Sequence, residues 1–143
     1  ELEAFLPPDL NNTSARILGG RQKLQWIKND YPAALEKAKA ENKKVFVDFT
    51  GYTCTNCRWM EANVFPKPEV EAEFEKFVLV SLYTDGEGEI YERQQAMEQE
   101  MFGTVALPFY AVINPDGKPV ATFPGLTRNV DEFVDFLKKA NQN

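Results

Sequence analysis

The ten residues Asp48-Phe49-Thr50-Gly51-Tyr52-Thr53-Cys54-Thr55-Asn56-Cys57 constrain this chain more than any other stretch. They contain both of its cysteines, spaced Cys-x-x-Cys, directly after the apolar run Val45 to Phe49. That run reads as a buried strand, and the residues after Cys54 have helical spacing, so the pair falls where a strand hands over to a helix. A helix start suits a reactive thiol: its free amides and partial positive charge stabilise the thiolate, the form that attacks disulfides.

Composition narrows the chemistry further. The chain has no histidine, which removes the commonest general base and the commonest metal ligand, and with them every Ser/His or Cys/His arrangement. Two cysteines alone make a poor structural zinc site, so neither a metal nor another cofactor is expected. At 143 residues and 43% apolar side chains there is enough for one domain with a real core. A net charge of −6 disfavours nucleic acid and anionic membrane surfaces as partners. No apolar run approaches the ~20 residues needed to span a bilayer and no signal peptide is evident, so a soluble domain is expected, with any targeting segment outside this stretch.

Residues 1–20, with Pro7-Pro8, Asn11-Asn12 and Gly19-Gly20, read as a linker or N-terminal extension, or as an expression remnant, and residues 21–143 as the domain. Leu24 to Ile27 forms a short first strand. Asp30 and Pro32 open a helix to about Asn42. After the strand Val45–Phe49 and the dithiol, Arg58 to Phe65 continues a helix, interrupted by Pro66. Pro68 starts another turn or two. Phe77 to Tyr83 is a second core strand, ending at Thr84-Asp85-Gly86. Glu89 to Phe102 is a helix with Ile90, Ala96, Met97 and Met101 as its apolar stripe and Gly103 as its cap. Phe109 to Ile113 and Val120 to Phe123 flank the turn Asn114-Pro115-Asp116-Gly117. A final amphipathic helix runs from about Asn129 to Ala140. Alternating strands and helices imply parallel pairing, with the hairpin as an antiparallel edge.

Asp48 stands out within its strand. A buried carboxylate is costly unless it is paired or its raised pKa serves proton transfer. The plainer alternative is a hydrated residue at the strand end. Its place on the strand that delivers the dithiol favours the functional reading. For the dithiol, a purely structural disulfide across so short a loop would stabilise little, so the βα setting favours redox chemistry.

With these motifs in hand, residues from about Leu24 to Ala140 resemble the thioredoxin superfamily. Val47-Asp48-Phe49 lies ahead of Cys54-Thr55-Asn56-Cys57, and Phe102-Gly103-Thr104-Val105-Ala106-Leu107-Pro108 resembles the segment ending in the family's cis-proline. Glu61, the passage Val64 to Val70 and Phe123-Pro124-Gly125-Leu126 are most similar to the C-terminal periplasmic domains of DsbD-type transmembrane thiol:disulfide interchange proteins. The resemblance implies an α/β thioredoxin-like fold, a central mixed parallel and antiparallel sheet with helices on both faces. It implies Cys54 as nucleophile, Cys57 as resolving thiol, Asp48 and Glu61 as acids that raise the thiol pKa and move protons, and Pro108 beside the dithiol, offering Leu107 backbone groups to a partner. For Glu61 an exposed helix carboxylate is the alternative.

The same resemblance implies a monomeric, periplasmic reductase domain tethered to the inner membrane and acting on protein thiols and disulfides. It would take electrons from a membrane domain and pass them to an N-terminal domain of the same polypeptide, in routes such as cytochrome c biogenesis. Thr53 and Phe109 depart from the usual tryptophan before the first cysteine and threonine after the proline. The rivals are a free-standing thioredoxin-like reductase or oxidase, and a redox-inert binding module with a structural disulfide.

Overall fold

A computed structural model describes residues 24–142; the expected linker, residues 1–20, lies outside the described residues. The elements, in chain order, are β1 (Trp26–Lys28), α1 (Tyr31–Glu41), β2 (Lys44–Thr50), α2 (Thr55–Asn63), α3 (Pro68–Phe74), β3 (Phe77–Tyr83), α4 (Glu89–Phe102), β4 (Phe109–Ile113), β5 (Pro119–Pro124) and α5 (Val130–Gln142). The expected elements are all present; Phe77–Tyr83, Glu89–Phe102 and Phe109–Ile113 keep the expected ends, and the others move by at most three residues.

Five strands form one sheet in the order β1-β3-β2-β4-β5. The strand that carries Asp48 is central, hydrogen-bonded on both sides and buried from Val45 to Thr50, as its unbroken apolar character requires. β1, β3 and β2 run parallel, while β4 runs antiparallel to β2 and β5 antiparallel to β4. Simple alternation would have made β4 parallel as well. Instead the 102–109 connection returns β4 in the opposite sense, so the antiparallel part of the sheet begins one strand before the hairpin.

Alternation along β2 divides the core, because successive side chains leave opposite faces. Val45, Val47 and Phe49 pack with Ala34 and Ala38 of α1 and with Met97, Met101 and Phe102 of α4. Phe46 packs on the other face with Met60 of α2, Phe74 of α3, Tyr110 of β4 and Phe133 of α5. Asp48, two residues beyond Phe46, shares the face that α2 covers. Its neighbours in register are Ser81 on β3 and Tyr110 on β4.

One helix departs from expectation. Ile90 and Ala96 of α4 are exposed, while Gln94 and Glu98 are buried. The inner face runs Gln94, Met97, Glu98, Met101, the i, i+3, i+4, i+7 set of a docked helix, so two polar residues lie where an apolar stripe was expected. Gln94 is satisfied there, its Nε2 donating to Tyr83 O at 2.6 Å and to Asn29 Oδ1 at 3.1 Å. Gly103 caps the helix in a left-handed conformation, φ 72°, as expected.

Candidate active site

The loop from β2 into α2 places the dithiol. Cys54 is the N-cap of α2, with Cys57 in its first turn, and the two form a disulfide with Cα atoms 5.2 Å apart. The backbone N–H of Cys57 donates to Cys54 Sγ at 3.1 Å, the kind of contact by which a helix start stabilises a thiolate. Cys54 is half-buried, whereas Cys57 is only 1% exposed. One sulfur can therefore be reached from outside and the other cannot.

The loop is held by a residue that sequence reasoning assigned only to a strand-ending turn. Asp85, just past β3, accepts from Tyr52 N at 2.7 Å, Thr53 N at 3.1 Å and Thr53 Oγ1 at 2.9 Å. Burial opposes its charge, yet these hydrogen bonds win and hold its carboxyl below the ordinary value. Gly51 is needed at this join, because a Cβ there would sit 2.7 Å from Asp85 Oδ2 and 3.1 Å from Leu107 Cδ1. The same contact places the Leu107-Pro108 segment against the loop. That peptide bond is cis, and Pro108 O accepts from Gly125 N at 2.9 Å, which joins the segment to the end of β5.

Beneath α2, Asp48 is 3% exposed and its Oδ1 has no hydrogen-bond partner. It is not a hydrated strand end. Burial first, and the charge of Glu61 second, push its carboxyl well above the usual range; Arg58 pulls weakly the other way. Glu61 is partly exposed on α2 and ion-paired, accepting from Arg58 Nη2 at 2.8 Å. Arg58 also donates to Thr50 Oγ1 at 2.9 Å and lies over the Tyr83 ring. Sequence reasoning passed over Arg58, although its i, i+3 spacing to Glu61 was a usable signal. Among the described residues no group of three or more cysteines and carboxylates is placed to hold a metal.

A dithiol at a helix start, with one half-buried, reachable cysteine and one buried cysteine, on this sheet, defines a thiol:disulfide oxidoreductase. The chain belongs to the thioredoxin-like domain family, whose model matches residues 31–141. Among solved structures it is similar to a DsbH oxidoreductase (21% identity, 84% of this chain and 85% of that chain, TM-score 0.69). It is similar as well to a thioredoxin from Thermus thermophilus (26% identity, 81% and 85%, TM-score 0.66). The oxidised C-terminal domain of Neisseria meningitidis DsbD is a further neighbour (25% identity, 76% and 91%, TM-score 0.59). No curated protein matches the chain.

Proposed function

We propose that this domain is a protein-disulfide reductase that relays electrons by direct dithiol exchange, Cys54 first and Cys57 second. The observation that carries the reading is the contrast between the two sulfurs, the reachable one capping a helix and the sealed one a turn below. In the reduced form the Cys54 thiolate attacks an acceptor disulfide, forming a mixed disulfide and expelling one acceptor thiolate, which takes up a proton. Cys57 then loses its proton and attacks Cys54 Sγ, releasing the second acceptor thiol. The acceptor gains two electrons and two protons, and the domain is left with the Cys54–Cys57 disulfide. A donor dithiol reverses these steps to recharge it.

Asp48 and Glu61 would handle the Cys57 proton, since the chain has no histidine to do so. Pro108, beside the loop, would present Leu107 backbone groups to the acceptor chain. The similarity to the DsbD C-terminal domain supports a periplasmic setting, with a membrane electron-transfer domain as donor and an N-terminal domain as acceptor.

Replacing Cys57 by Ser should trap acceptors as mixed disulfides through Cys54. Trapping only in the Cys54→Ser variant would reverse the assignment. Titration in glutathione or dithiothreitol buffers tests the direction. A potential below the glutathione couple is expected, and one near the ~−120 mV of strong oxidants would make the domain an oxidase.

A further inference from the structure

In the oxidised form the disulfide joins Cys54 to Cys57. Once it is reduced, other contacts must keep the two sulfurs in line, and one of them spans the whole dithiol loop. Arg58, the residue after Cys57, reaches back from α2: its Nη2 donates to Thr50 Oγ1 at 2.9 Å, at the end of β2, and to Glu61 Oε2 at 2.8 Å, one turn further along α2. Thr50 is fully buried in the central strand, so it is a fixed anchor on the sheet, while Glu61 braces the guanidinium from its own helix. The guanidinium also lies over the Tyr83 ring, 5.9 Å from its centre, and that ring stacks at 4.1 Å on Tyr52, two residues before Cys54. Asp85 holds the front of the loop, at Tyr52 and Thr53. Arg58 ties the back of it, after Cys57, to the strand end from which it starts.

We propose that Arg58 is a positioning residue for the second step of exchange, a clasp that keeps Cys57 aligned on Cys54 while the two are not bonded. This rests on the exchange sequence proposed above. In that step the Cys57 thiolate attacks Cys54 Sγ, and the bond between Cys54 and the acceptor sulfur breaks. The acceptor sulfur leaves with the bonding pair and takes up the proton that Cys57 has lost. The attacking sulfur must stand in line with the bond it breaks, and a misplacement of about 1 Å can cost ~10²-fold. The first step makes no such demand on the loop, because the acceptor brings its own disulfide to the reachable Cys54. A lysine at this position would keep the charge but not the planar fork, which meets two oxygen acceptors and a ring face at once.

The reduced natural chain, mixed with one equivalent of dithiobis(nitrobenzoic acid), should release coloured thiolate in two phases. The first reports attack by Cys54; the second, at a rate independent of protein concentration, reports resolution by Cys57. Followed by stopped-flow absorbance against pH, the resolving rate should rise to a plateau as Cys57 ionises. Arg58→Met and Thr50→Val should each lower that plateau by roughly fivefold or more while the first phase, at its own plateau, stays within about twofold. Arg58→Lys should fall between them and the natural chain. Thr50→Val removes one anchor without changing a charge, and it keeps the test decisive should Arg58→Met fail to fold. Resolving plateaus within about twofold of the natural chain in both variants overturn the proposal. A shifted pH midpoint with an unchanged plateau overturns it too, since Arg58 would then act on Cys57 through charge alone, as does an equal loss in both phases, the mark of a generally loosened fold. If the natural chain itself shows no concentration-independent second phase, the reductase reading fails and the clasp with it.

Discussion

Asp48 is held under two pressures that act in one direction. Burial and the Glu61 charge both favour its neutral form, and Arg58 only partly opposes them. Once ionised, it adds negative charge on the face of β2 that the Cys57 helix covers, which disfavours a thiolate there. Asp48→Asn removes that charge, so thiol alkylation by iodoacetamide should shift to lower pH and run several-fold faster at neutral pH. It should also follow a simpler curve, since coupled groups titrate together. An unchanged alkylation profile would make Asp48 structural. The sequence exposed this residue because an acid inside an apolar run is conspicuous. Asp85 and Arg58 were less visible, because their partners are set by the fold. Asp85 bonds the loop 32 residues earlier, and Arg58 reaches Thr50 only because α2 lies back over β2.

Among the elements, α4 separates what local signals determine from what docking determines. Its ends were legible in helix formers closed by Gly103, but the phase of its inner face was not, since packing against β3 and Phe49 of β2 selects it. Glu98 is the consequence. It is fully buried, neither carboxylate oxygen has a hydrogen-bond partner, and burial pushes its pKa up to about 8. In the unfolded chain it would titrate near 4.5, so between about pH 4.5 and 8 the folded state binds the extra proton. Stability is then full below this window and falls as pH rises through it, by at most ~1.4 kcal/mol per pH unit. Glu98→Met removes the titration and keeps an unbranched side chain beside Met97 and Met101. The natural chain should lose melting temperature between pH 5 and 8 while the variant loses less, and at pH 8 the variant should be the more stable by about 1–3 kcal/mol. Parallel pH profiles in thermal melts would show that Glu98 finds a partner in solution.

At the scale of the whole molecule, redox direction is a stability difference between two forms of one fold. The start of α2, with the Cys57 amide on Cys54 Sγ, favours the thiolate and so the reduced form, which makes a dithiol oxidising. Asp48 beneath the same helix and Glu61 within it act the other way, making the thiolate harder to form and the dithiol more reducing. A reductase requires the acids to prevail. Linkage then demands that folding favour the disulfide: a potential about 30 mV below that of the unfolded dithiol corresponds to ~1.4 kcal/mol in favour of the oxidised form. For a chain of 143 residues that is roughly 3–6 °C in melting temperature. Melts recorded with and without excess dithiothreitol should place the oxidised form higher, and an Asp48→Asn, Glu61→Gln double variant should narrow or invert the gap. If the reduced natural chain melts higher, the helix start has outweighed the acids, and the domain gives up its disulfide to partners in place of electrons.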